Sequence, residues 1–156
     1  MVGKFSPSPR NRSRATLFML AVLLFSLPSA AREPLSELRK RADAAHGIDC
    51  AKLCLQVAHV LVEESSSQFK QGDAQTARTT AQEAMSYAER GARESIASKK
   101  YRKEAEISLR ELERRLTDLA RLFDLEQRAP LESDVATIEE LRSQLLSSLF
   151  DLKAEQ

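Results

Sequence analysis

The sequence predicts an all-α protein of about five helices, packed as an antiparallel bundle or hairpin stack. Three observations predict it. Ala, Leu, Glu, Arg, Ser and Gln dominate while β-branched residues and aromatics are sparse, which is a helix-forming composition. Apolar residues recur at three- and four-residue spacing, and no segment shows the period-two alternation of a strand. The breakers Gly47, Gly72 and Pro130 fall between the periodic runs.

The first 31 residues are expected to stand outside this bundle. Arg10, Arg12 and Arg14 precede an apolar run from Leu17 to Phe25, followed by Pro28 and the small residues Ser29, Ala30 and Ala31. That is the layout of a cleaved signal peptide, with the cut between Ala31 and Arg32. The alternative, a retained signal anchor, needs about 20 apolar residues to span a bilayer, and the run falls short. Cys50 follows Gly47, Ile48 and Asp49, which is no lipoprotein processing site. The expectation is an exported protein, periplasmic or extracellular, with residues 32–156 as one helical domain and no transmembrane span after cleavage.

Removing that segment changes the charge. The chain has 24 Lys+Arg and 23 Asp+Glu, and four of the basic residues but no acid lie in residues 1–31, so the remainder carries about −3. Overall attraction to nucleic acid is not supported. A protein or an anionic envelope component is the partner class left open.

Pro34 suits a first helical turn, and Leu35, Leu38 and Ala42 follow at helical spacing. Asp49 reads as the N-cap of a second helix reaching about Gln71. Cys50, Cys54, Val57 and Leu61 share a narrow face of it, widened on both sides by Leu53, Val60, Ala58, Val62 and Phe69. So broad an apolar surface predicts a helix covered from more than one direction. Gly72-Asp73 ends this helix and caps the next, a tight turn that folds the third helix back antiparallel. The third helix carries the small residues Ala77, Ala81, Ala84, Ala88 and Ala92 in a stripe.

From Ser98 to about Gln127, Ala105, Leu109, Leu112, Leu116, Leu119 and Phe123 step at heptad spacing, as in a coiled coil. Whether this helix continues the third is left open by Gly91 and Ser95–Ser98. Ala129-Pro130 predicts the next break. The last helix shows Leu131, Val135, Ile138, Leu145, Leu149 and Leu152 on one side.

Two sets of residues invite a functional reading. Cys50 and Cys54 lie one turn apart, and His46 joins their row if the helix extends back through Gly47. The row then offers at most three soft ligands where a structural zinc site takes four. The readings are small buried core residues, a strained intrahelical disulfide, or a metal or redox pair. The second set is a basic stripe, Lys99, Lys103, Arg110, Arg114, Arg121 and Arg128, nearly opposite the leucine seam. It reads as a solvated face laced by pairs such as Glu106 to Arg110 and Glu111 to Arg115, or as a surface for an acidic protein, anionic lipid or envelope polymer.

His59 stands opposite the cysteines and is expected in solvent. Glu63-Glu64 and Glu139-Glu140 point apart on their helices, and no nucleophile triad or phosphate loop is visible. Neither an enzyme nor a cofactor is expected, the rival to an interaction protein being a thiol-based metal-binding or redox protein using Cys50 and Cys54.

Residues 59–91 resemble a tetratricopeptide helix hairpin at Gly72-Asp73, Ala77 and Ala84, and depart from it at Glu64-Ser65 and Gln68. That resemblance implies a hairpin geometry. With Cys50–Cys54 and Arg114-Arg115-Leu116, the chain also resembles a family of small exported all-helical bacterial proteins, which implies the fold and no particular activity.

Overall fold

The structure, a computed structural model, describes residues 33–154 and the side chains of 33–150. The expected signal peptide at 1–31 and the side chain of Leu152 lie outside these. Five helices follow in order: α1 Leu35–Ala44, α2 Gly47–Lys70, α3 Ala74–Ser98, α4 Arg102–Ala120 and α5 Leu125–Ala154. Among the described residues there is no strand, and no helix is long and apolar enough to cross a membrane.

The α2–α3 hairpin is built as its sequence predicts. Gly72, at φ +89°, takes the left-handed conformation open to glycine, and its N–H and that of Asp73 donate to the carbonyls of Phe69 and Gln68. The Asp73 carboxylate then accepts from Thr76 N at 3.0 Å and opens α3. All five stripe alanines are fully buried. At Gly91 α2 and α3 approach closely, since a Cβ there would lie 2.8 Å from Leu55 Cγ and 3.2 Å from the Ala51 carbonyl. Ser65 donates to the Ala77 carbonyl at 2.6 Å within the same interface. The breadth of the apolar surface on α2 is explained by its packing on α1, α3 and α4.

The start of α2 differs from the sequence expectation. The helix begins at Gly47, not after Asp49, because the Gly47 N–H is satisfied by Glu94 Oε2 at 3.0 Å from α3. Asp49 sits inside the first turn, where its charge favours the helix dipole.

α3 and α4 are separate helices. Lys99 and Tyr101 both adopt left-handed φ, +57° and +66°, and the chain turns a corner in three residues. Such non-glycine conformations cost about 1 kcal/mol or more each. Arg102 holds the corner by donating to the Ile96 carbonyl at 2.8 Å, and Lys52 lies over the Tyr101 ring at 5.6 Å.

The heptad-spaced row of α4 is buried inside the chain. Ala105, Leu109, Leu112, Leu116 and Leu119 face α5, α2 and α3, together with Leu131, Ile138 and Leu145 of α5. The end of α4 is a second correction. It stops at Ala120, not near Gln127, and the chain breaks at 121–124 instead of at Ala129-Pro130. Phe123 is the reason: it is 2% exposed, and its ring centre lies 4.5 Å from that of Phe69. Arg128 fixes the turn by donating to the carbonyls of Ala120 and Phe123, both at 3.1 Å. Pro130 lies within the second turn of α5 at an exposed position.

Candidate functional site

Cys50 and Cys54 are wholly buried free thiols whose sulfurs touch at 3.4 Å. Burial pushes the Cys54 thiol up to about 12, helped by its bond to Cys50. A thiol held that far up is a poor nucleophile and a poor metal ligand at neutral pH. His46 does not join them: it precedes α2 in extended backbone and is exposed, so the expected three-residue row is not formed. Among the described residues no group of three or more His, Cys, Asp or Glu is placed to hold a metal ion.

The six residues of the basic stripe part company in space. Lys99 belongs to the corner before α4, and Arg128 lies on α5 with its guanidinium folded onto the preceding turn. Arg110 pairs with Glu106 at 2.7 Å and Arg121 with Asp118 at 3.3 Å. Lys103 and Arg114 remain on the outer face of α4, exposed.

The sequence reading missed the main polar feature, which joins α4 to α5. Glu106, only 4% exposed, accepts from Arg142 Nη2 at 2.9 Å as well as from Arg110. Arg142 also pairs with Glu113, and Arg102, 6% exposed, donates to the Ser148 carbonyl at 2.7 Å. Burial alone would raise the Glu106 carboxyl, but the two guanidinium bonds outweigh it and hold it below the usual carboxylate range. A signal was present: on a helical wheel, positions 102, 106 and 113 fall beside Leu109, within the edge of the apolar face.

His59 is half-buried, not solvated, and its Nε2 lies 2.9 Å from Ser108 Oγ on α4. Desolvation lowers its pKa. Its Nδ1 is buried without a hydrogen-bond partner, so the pair lacks the third group that orients a base toward a nucleophile. The pair therefore ties α2 to α4. Next to it, an open groove of about 470 Å³ runs over Val62 and Leu119 toward Lys70 and Leu122. Its rim charges Arg115 and Asp118 are engaged, by Glu63 and Glu111 and by Arg121.

No family model, curated protein or solved structure matches this chain.

Asp134 of α5 gives a pH-dependent signature. Its Oδ2 is buried without a partner, and burial, then the Glu89 carboxylate of α3, raises its pKa to about 6. The unfolded value is about 3.9, so between about pH 4 and pH 6 the folded chain binds the extra proton and stability falls as pH rises. Above pH 6 the loss is complete. Asp134→Asn is expected to stabilise the protein at pH 7 by about 1 kcal/mol, discounted for partial exposure, with the gain shrinking toward pH 4. The lowered His59 pKa acts oppositely, stability falling as pH drops below its unfolded value, but it is common to both proteins and cancels in the difference. Urea denaturation at pH 4.5 and pH 7 checks this, and an equal gain at both values would count against it.

Proposed function

We propose that the protein is an exported, non-enzymatic helical interaction or scaffold protein of the cell envelope. The observation that carries this reading is how the chain uses its reactive groups. The cysteines are buried in the core, and His59 and the Glu106 network are engaged in holding helices together. What α4 presents outward is a face of mixed charge, Lys103, Arg110 and Arg114 beside Glu104, Glu111 and Asp118, with the exposed Ile107 among them. Such a surface suits recognition, and the signal-like segment at residues 1–31 suits export. Affinity capture from envelope extract tests it: a partner retained by the wild type and lost on Lys103→Glu with Arg114→Glu supports it. A turnover activity abolished by His59→Ala or Cys54→Ala would replace it.

The 3.4 Å approach of Cys50 and Cys54 favours a second reading, a thiol-based metal-binding or redox protein. Thiol titration of native and denatured protein separates the two. The interaction reading predicts two thiols that react only after denaturation, without prior reductant. A disulfide, or metal retained in stoichiometric amount, supports the thiol reading.

A further inference from the structure

Polar contacts fix α5 at two places and leave the stretch between them to packing. Arg128 donates to the carbonyls of Ala120 and Phe123 at one end, and further along Arg142 pairs with Glu106 and Glu113 while Arg102 donates to the Ser148 carbonyl. Among the described residues, no side-chain hydrogen bond or ion pair joins 130–138 to another helix, the Thr137 hydroxyl donating within α5 to the Ser133 carbonyl. Leu131 and Ile138, both fully buried, and the partly buried Val135 seat this stretch. Pro130 has no N–H to add to the helix ladder, and a hollow of about 240 Å³ lies alongside, lined by Thr117 and Ala120 of α4 and by Glu132 and Val135 of α5. Within it sits the half-buried Asp134, whose Oδ2 is buried without a hydrogen-bond partner. The charge that acts on it from α3 is another carboxylate, Glu89, itself paired with Arg93 at 3.8 Å. On α4, the other helix packed against α5, Glu106 and Glu113 are taken by Arg142 and Asp118 by Arg121, and none acts on Asp134.

We infer that residues 130–138 of α5 form a pH-sensitive latch on α3, seated while Asp134 holds a proton and loosened once it and Glu89 are both charged. Loosening releases one proton to solvent and lets water reach Leu131 and Ile138. The sign follows from the linkage already given for Asp134: burial, then Glu89, raises the folded value to about 6, against about 3.9 in a detached stretch. The latch is therefore tightest near pH 4 and loosens as pH rises through about 6. The clamp beyond it does not follow, because although burial opposes it, two guanidinium bonds keep the Glu106 carboxyl below the usual carboxylate range. The response is confined to the part of α5 that packing alone holds.

The test follows amide hydrogen exchange of the full chain at pH 5 and pH 7, each rate corrected for the intrinsic pH dependence of exchange. The opening constant of the amides in 131–138 is expected to rise about fivefold from pH 5 to pH 7, a value reduced for the partial exposure of Asp134. Amides of α2, of α3 and of 141–148 should not rise with them. Asp134→Asn is expected to remove the rise, and Glu89→Gln to lessen it, since burial of Asp134 remains. His59 of α2 titrates with the opposite sign, its lowered pKa loosening the bundle toward pH 5, but it is common to all three proteins and cancels between them. Circular dichroism at both pH values confirms that the variants are folded. A wild type with one opening constant at both pH values, or a rise left whole in either variant, would overturn the inference. So would a rise shared equally by α2 and α3, which would mark unfolding of the whole bundle and not of a latch.

Discussion

Leu116→Asp is expected to unfold the protein. Leu116 is fully buried at the middle of the α4 seam, where α5 and the α2–α3 hairpin converge. Losing its side chain costs about 2–5 kcal/mol, and the carboxylate that replaces it must be buried unpaired or protonated at further expense. The sum rivals the whole stability of a domain this size, about 5–15 kcal/mol. Circular dichroism should show lost helicity, whereas Leu122→Asp, at a site 49% exposed, should change stability by about 0.5 kcal/mol or less. A row serving an intermolecular coiled coil would give the opposite result, a dimeric wild type and a folded monomeric mutant. Analytical ultracentrifugation of both proteins distinguishes the cases.

Glu106→Ala is expected to cost about 2–3 kcal/mol, because it strands the Arg142 guanidinium, 21% exposed, beside the α4–α5 interface. The value sits below that of a wholly buried pair since Arg142 keeps Glu113 and some water. Replacing both partners, Glu106→Leu with Arg142→Leu, should recover most of the loss, because no charge is then left without its counterpart. Arg110→Ala, on a side chain 62% exposed, should have little effect. Urea denaturation of the single and double variants measures the set. A double variant as unstable as Glu106→Ala would show that the polar contact cannot be exchanged for packing.

What the sequence disclosed, and what it concealed, divides along a physical line. Local chemistry was legible: Gly72-Asp73 specified its turn, the alanine stripe its close approach, and the spacing from Ala105 to Phe123 its buried seam. Cross-helix chemistry was not. Pro130 looked like a break until Phe123, held by Phe69 far away in sequence, drew the turn forward. His59 looked solvated because a wheel shows which residues share a face, and not that Ser108 of another helix would meet it. The Lys99–Tyr101 corner has no glycine to announce it, since its left-handed residues are imposed by the helices they join. In the basic stripe the contacts are local: Arg110 pairs with Glu106 and Arg121 with Asp118 one turn away, and Arg128 folds onto the turn before α5.

The weakest attachment in the described bundle is α1. It buries only Leu38 and Ala42 and packs chiefly on α2, while its links to α3, Arg39 with Glu83 and Asp43 with Tyr87 and Arg90, lie at the surface. A ten-residue helix so held can detach without the rest unfolding, at a fraction of the global free energy. The backbone amides of α1 are thereby natural clocks: their hydrogen exchange in native buffer counts how often α1 lifts away, while the amides of α2 and α3 stay protected.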